Sequence, residues 1–210
     1  SRDNLREAVA RALRGKRDRE DARELTFHLE DHLRTMAQQL REGTFALGRF
    51  YQFVVHDPKE RLITAPCFAE RVVHHALINV CEPVFERWLI ADTFACRRGK
   101  GREAALLRTR QFARRFPCFL KLDIRKYFDS ISHDGLLSRL RRIFKDPPLY
   151  ELFRRIVGSF RGPIGRGLPI GSLTSQHLAN FYLGWFDRFA KEQLRVGGYV
   201  RYMDDMALWA

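Results

Sequence analysis

The stretch that most constrains this chain is its last one, Tyr199-Val200-Arg201-Tyr202-Met203-Asp204-Asp205-Met206-Ala207-Leu208-Trp209. Val200, Tyr202, Met206, Leu208 and Trp209 favour strands, and two adjacent carboxylates interrupt them. Aspartate is a poor strand residue and a good turn residue, so the pattern predicts two short strands with the aspartates at the bend. Such a bend presents both carboxylates together, and they repel unless a cation or water lies between them. A solvated turn is one reading. The apolar residues on both sides favour the other, a partly buried, metal-binding pair.

A second acid belongs with this pair. In Phe119-Leu120-Lys121-Leu122-Asp123-Ile124, apolar and other residues alternate, which predicts a half-buried strand with Asp123 on its less apolar face. If that strand lies beside the hairpin, Asp123, Asp204 and Asp205 converge. Three carboxylates suit two Mg²⁺ ions about 3.5–4 Å apart, the arrangement used for in-line phosphoryl transfer. Hard oxygen donors, rather than histidine or cysteine, match that ion. The alternative for Asp123 is a cap on the turn into Lys126.

The remaining chain reads as helices around short strands. Leu5, Ala8, Val9, Ala12 and Leu13 fall at helical spacing, and one stripe joins Leu25, Leu29, Leu33, Met36 and Leu40 in a second helix ending near Gly43. His28 and His32 lie four apart, but Leu29 stands where a zinc protease motif needs glutamate, which excludes that reading. Residues 44–66 read as strand and turn. A helix runs from Ala69 to about Val80, with Pro83 restarting it through Leu89. Glu103 to Phe116, Asp134 to Phe144 and Leu149 to Phe160 are further helices, the last two separated by Pro147-Pro148.

Two glycine-rich stretches stand out. Ala95-Cys96-Arg97-Arg98-Gly99-Lys100-Gly101-Arg102 lacks the spacing of a Walker loop, yet its cations and backbone N–H groups could cradle phosphate. A solvated basic turn is the other reading. The loop from Arg161 to Ser172 opens a long amphipathic helix bearing Leu178, Phe181, Tyr182, Trp185 and Phe189. Glycine there lets a ligand approach the orphan N–H donors of the helix start, or simply makes an interdomain turn.

Composition narrows the partner class. Lys plus Arg total 38 against 25 Asp plus Glu, a net charge of +13 over 210 residues, which favours a polyanion. No apolar run approaches the roughly 20 residues that span a bilayer. The charged start is no signal peptide, and the four scattered cysteines suggest neither a zinc site nor a disulfide framework. A cytoplasmic protein without membrane attachment is the expectation. The missing initiator methionine and the stop just after a strand point to a fragment.

Taken in order, these motifs resemble those of bacterial reverse transcriptases. Asp57 to Arg61, Glu70 to Leu77 and Phe94 to Gly101 resemble the fingers motifs. Leu122 to Ile131, Gly167 to Asp187 and Tyr202 to Asp205 resemble the three palm motifs. The resemblance implies an α/β (α+β) right-hand fold. Its parts would be an N-terminal helical segment at 1–43, fingers at 44–117, and a palm at 118–210 with an antiparallel sheet backed by helices. The thumb is missing, so the isolated piece is expected to be poorly active.

The resemblance also implies an RNA-directed DNA polymerase, a nucleotidyltransferase using two Mg²⁺ ions for which Mn²⁺ can substitute. Its partners would be an RNA template, a DNA or RNA primer and dNTPs. Asp123, Asp204, Asp205 and the backbone carbonyl of Ile124 would hold metal. Lys59, Arg61, Tyr127, Phe128, Ile170 and Gly171 would contact the dNTP, with Phe128, five beyond Asp123, excluding a ribose 2′-hydroxyl. Arg97, Arg98, Lys100, Gln176, Tyr202 and Met203 would touch template or primer. Phe128 as a core aromatic and Gln176 as an ordinary helix-start residue are the alternatives.

Within that family Ile170 stands where most members carry Gln, and Ser175-Gln176 replaces their Ser-Pro. Both features resemble the error-prone enzymes of diversity-generating retroelements, which would add a basic accessory protein as a partner. Retron, group II intron and phage-defence enzymes are the alternatives, as is a non-catalytic RNA-binding relative.

Overall fold

The computed structural model describes residues 1–56, 59–160, 162 and 164–210, so Asp57 and Pro58 of the first fingers-like motif, and Arg161 and Pro163 of the glycine-rich loop, lie outside the described residues. Three helices open the chain: α1 (Arg2–Ala12), α2 (Glu20–Phe27) and α3 (Leu29–Glu42). The stripe from Leu25 to Leu40 is thus two helices rather than one, broken at His28, whose backbone (φ −117°, ψ 49°) leaves the helical region. Gly43 ends α3 in the left-handed conformation that glycine adopts without strain. The buried faces of these helices do not form a core of their own. Leu5, Val9, Leu25, Leu33 and Met36 pack with Phe68, Val72 and Val73 of the next helix.

A two-stranded antiparallel hairpin follows, β1 (Phe50–His56) and β2 (Glu60–Pro66), with Phe50 opposite Pro66 and His56 opposite Glu60. It leads into α4 (Phe68–Trp88), which runs unbroken through Pro83. The expected restart does not occur. Ile78, Cys81 and Phe85 on either side of the proline are buried in the central core, and that burial offsets the ~3 kcal/mol or more that an interior proline costs. Next come α5 (Arg102–Arg115), β3 (Phe119–Leu122), the short α6 (Tyr127–Ser130), α7 (His133–Ile143) and α8 (Pro147–Gly158). Pro147-Pro148 opens α8 instead of preceding it. Proline needs no N–H in the first turn, and the Asp146 carboxylate accepts from the Leu149 N–H at 2.8 Å to cap that end.

The long helix expected after the glycine-rich loop is segmented into α9 (Leu173–Tyr182), α10 (Gly184–Arg188) and a π-helical turn at Phe189–Gln193. The break lets the chain close around Gly184, where a side chain would meet the indole of Trp88 at 2.9 Å. Finally β4 (Gly198–Tyr202) and β5 (Asp205–Trp209) form a hairpin, and the sheet order is β3-β5-β4, antiparallel throughout. β3 is therefore an edge strand. Phe119 and Leu120 are exposed on it rather than half-buried, and the strand ends at Leu122, one residue before Asp123. Among the described residues no helix is long and apolar enough to cross a membrane.

Candidate active site

The bend between β4 and β5 lies where the sequence predicts, except that Asp205 already belongs to the strand instead of the corner. Tyr202 pairs with Asp205, leaving Met203 and Asp204 as the corner. Met203 sits at φ +60°, a left-handed conformation that costs a residue with a side chain something to hold. The cause lies beneath it: Arg201 Nη1 donates to the Met203 carbonyl at 2.8 Å.

Arg201 is fully buried and is the centre of a polar network. Its Nε and Nη2 donate to the two carboxylate oxygens of Asp187, at 2.6 and 2.7 Å. Nη1 also donates to Asn180 Oδ1 at 2.8 Å, and Nη2 to the Asn180 carbonyl at 2.9 Å. Tyr199 Oη (2.7 Å) and Thr93 Oγ1 (2.8 Å) complete the shell around Asp187. A buried charge pair survives only when its other hydrogen-bonding positions are filled, and these are. The network ties β4, α9, α10 and the 92–95 segment into one support for the bend. Sequence reading missed Asp187, Asn180 and Arg201 as positioning residues. The available signal was an arginine between Val200 and Tyr202 in an otherwise apolar strand, since a charge there demands a partner.

Three acids lie within electrostatic reach of one another around this bend. Asp204 is half-buried; Asp205 and Asp123 are exposed. β3 pairs Leu122 with Met206, so the next step of that register sets Asp123 opposite Asp205. Burial raises the Asp204 carboxyl above its ordinary range, and the charges of Asp123 and Asp205 push in the same direction. Arg61 on β2 acts the other way, which places the hairpin's cation within electrostatic reach of the bend. Lys121 Nζ stands 3.6 Å from Asp205. Among the described residues no three acidic, histidine or cysteine side chains are drawn together as a ready metal cage. The aspartates form an open, all-oxygen set whose mutual repulsion a divalent cation would relieve, and its chemistry fits Mg²⁺.

The glycine-rich loop forms the neighbouring wall. Gly167 and Leu168 donate through their N–H groups to Ile131 and Phe128 carbonyls, at 2.9 and 3.0 Å. Further on, the Ile170 carbonyl accepts from Thr64 N–H at 2.6 Å, joining the loop to β2. Gly171 is required there twice over. Its φ is +120°, and a Cβ would lie 2.6 Å from Ile63 Cγ2. Ser172 turns its hydroxyl to His74 Nδ1 at 3.0 Å. Ile170 and Gln176 remain exposed beside this join, as do Tyr202 at the bend and Lys59 between β1 and β2. Phe128 and Ile124 are half-buried against the central core.

Several residues expected to touch ligand make bonds within the chain. Tyr127 is buried, and its hydroxyl donates to the Ala179 carbonyl at 2.5 Å, so it anchors α6 to α9 rather than facing a nucleotide. Arg97 is also turned inward. Its Nε donates to Glu86 Oε2 at 2.9 Å and its Nη1 to the Thr93 carbonyl at 2.9 Å. Lys100 donates to the Ala91 carbonyl, and Arg98 pairs with Glu82 at 2.9 Å. The irregular 90–93 segment has carbonyls that no helix satisfies, and Arg97 and Lys100 supply the donors, whereas Arg98 serves Glu82 of α4.

The family described as reverse transcriptase (RNA-dependent DNA polymerase) matches the chain over residues 56–210. Nuclear intron maturase 4, mitochondrial, of Arabidopsis thaliana is 29% identical over 170 residues, covering 77% of this chain and 21% of that protein. Protein YkfC of Escherichia coli (strain K12) is 26% identical over 151 residues, covering 66% of this chain and 39% of that protein. The chain thus spans well under half the length of either relative. A partial Cas6-RT-Cas1–Cas2 complex superposes with a TM-score of 0.55 at 19% identity, covering 97% of this chain and 36% of that one. An apo telomerase from Candida tropicalis, truncated from its C-terminal domain, superposes at 0.55 with 10% identity, covering 77% of this chain and 43% of that one. These two likenesses show a shared fold.

Proposed function

Because the chain belongs to the reverse transcriptase (RNA-dependent DNA polymerase) family, we propose that it supplies the fingers and catalytic palm of an RNA-directed DNA polymerase. The observation that carries this reading is the half-buried Asp204 set beside Asp123 and Asp205, with Arg61 within electrostatic reach. A non-catalytic RNA-binding role gives no reason to hold one carboxylate partly out of water against two others.

Asp123, Asp204, Asp205 and the Ile124 carbonyl would hold Mg²⁺, or Mn²⁺ in its place. When bound, two such ions stabilise charge on the attacking and leaving oxygens of an in-line displacement. The chain's own residues do the positioning. The Arg201 network fixes the bend, so the carboxylates need no reorganisation when charge develops. Arg61 and Lys59 would meet the triphosphate of the incoming dNTP. Phe128 would close the space beside the sugar C2′. Ile170 and Gly171 would border the nascent pair, Gln176 the template, and Tyr202 and Met203 the primer end. A protein containing this segment should extend a primer on RNA with Mg²⁺ and dNTPs and stop when the metal is chelated. Extension undiminished by chelation would overturn the proposal.

The finer reading is the error-prone, diversity-generating type, in which a basic accessory protein would be a further partner. Its support is Ile170, whose carbonyl is pinned to Thr64 while its side chain stays partly exposed. Ile170→Gln therefore changes side-chain chemistry on a fixed backbone and adds an amide able to hydrogen-bond. The expected result is about tenfold fewer misinsertions opposite template adenines, which is only about 1.4 kcal/mol of differential transition-state binding. Sequencing cDNA copied from one defined RNA by both proteins measures it. Low adenine error in the unmutated protein would move the chain to the retron, group II intron or defence types.

A further inference from the structure

A buried pair behind the glycine-rich loop belongs neither to the aspartate bend nor to the Arg201 network. Glu70 and His74, one turn apart on α4, are 0% and 2% exposed. Glu70 Oε2 accepts from the N–H groups of Gly48 and Arg49, at 2.9 and 3.1 Å, just before β1. On the other side, His74 Nδ1 meets the Ser172 hydroxyl at 3.0 Å. The two remaining polar atoms, Glu70 Oε1 and His74 Nε2, are buried 3.6 Å apart, without a hydrogen-bond partner among the described residues.

Burial pushes His74 down to about 3, with the charges of His75 and Arg71 adding to this, so at neutral pH the ring carries one proton. With that proton on Nε2, the ring points a donor at Glu70 Oε1 and accepts from Ser172 Oγ through Nδ1, which matches both orphaned atoms. Ser172 stands at the N-cap of α9, where serine ordinarily bonds a helix N–H, yet among the described residues it makes no cap bond. Its hydroxyl serves His74 instead.

The two segments held by this pair adjoin groups assigned to the nucleotide. Gly48 and Arg49 lead into β1, whose Val55 pairs with Arg61 of β2. Ser172 follows Ile170 and Gly171, and the Ile170 carbonyl accepts from Thr64 N–H of β2. We propose that Glu70 and His74 are positioning residues for the incoming nucleotide, holding the β1–β2 hairpin and the Ile170-Gly171 loop at a fixed spacing through Gly48, Arg49 and Ser172. The effect on the nucleotide rests on the polymerase reading above, whereas the clamp itself rests on the buried pair.

Ser172→Ala removes one hydroxyl, opens little space and takes no cap from α9. Amide exchange of the 210-residue chain, followed by NMR, reads the clamp. Thr64 N–H is expected to exchange about tenfold faster in this variant, the size expected for one lost hydrogen bond. The N–H of Leu140, fully buried within α7, reports global opening and should change less than about twofold. Glu70→Gln keeps an acceptor for Gly48 and Arg49 and offers an amide N–H to His74 Nε2, so the ring proton moves to Nδ1 and bonds Ser172. Its Thr64 exchange should match the parent. Equal acceleration of Thr64 and Leu140 in Ser172→Ala, or none, would overturn the clamp. Acceleration of Thr64 as large in Glu70→Gln as in Ser172→Ala would overturn the pairing of Glu70 with His74.

In a protein containing this segment, Ser172→Ala should raise the dNTP KM about tenfold and change kcat less than about threefold, the split expected when binding geometry loosens and the metal ligands stay in place. Unchanged KM alongside faster Thr64 exchange would overturn the positioning role. A parent that extends no primer counts against the polymerase reading and leaves the exchange result standing, so the two proposals fail separately.

Discussion

Asp204→Asn is expected to lower primer extension by about a thousandfold or more in a protein containing this segment. Asparagine keeps the shape and one oxygen but removes the charge that would hold a metal. Loss of one preorganised donor to a transition-state charge already costs ~10²–10³ in rate, and a metal ligand positions more than one such charge. Folding should not explain the loss. Burial raises the Asp204 carboxyl above the ordinary range, and the two like charges beside it add to this. Such a group binds its proton more tightly folded than unfolded, so its ionised form weakens the fold at neutral pH. The asparagine variant should therefore melt at the same temperature as the parent or slightly above it. Near-parental extension, or extension lost only in step with unfolding, would sink the metal assignment.

Asp187→Ala is expected to destabilise the chain by about 3–5 kcal/mol, the cost of removing one partner of a buried pair. The substitution leaves Arg201 fully buried with both its carboxylate bonds gone. It also strips the acceptors from Tyr199 and Thr93. Against a total stability of about 5–15 kcal/mol for an ordinary domain, that is a large share. Urea denaturation followed by tryptophan fluorescence measures it. Asp187→Asn, which keeps an acceptor, should lose less. A change under about 1 kcal/mol would mean the network is not what supports the bend.

The hairpin at 198–209 was legible because strand-favouring residues lie on both sides of two turn-favouring aspartates. The bounds of α5 were close for the same kind of reason, a charged helix stopped by an aromatic and a proline. The unread features depend on tertiary partners. Arg201 and Asp187 are 14 residues apart and meet only because α10 folds back beneath β4. Arg97, Arg98 and Lys100 look like a phosphate cradle until the carbonyls and carboxylates they serve are placed around them. Pro83 looks like a helix break until burial on both sides outweighs its penalty.

The bend between β4 and β5 is proposed as a divalent-metal site, and Mn²⁺ binding to the chain itself tests that directly, without template or primer. Electron paramagnetic resonance of free Mn²⁺ should show uptake by the parent protein. Asp204→Asn and Asp123→Asn should each weaken that uptake, and the triple variant carrying Asp205→Asn as well should abolish it. The same Mn²⁺ affinity in the parent and in the triple variant would contradict the account.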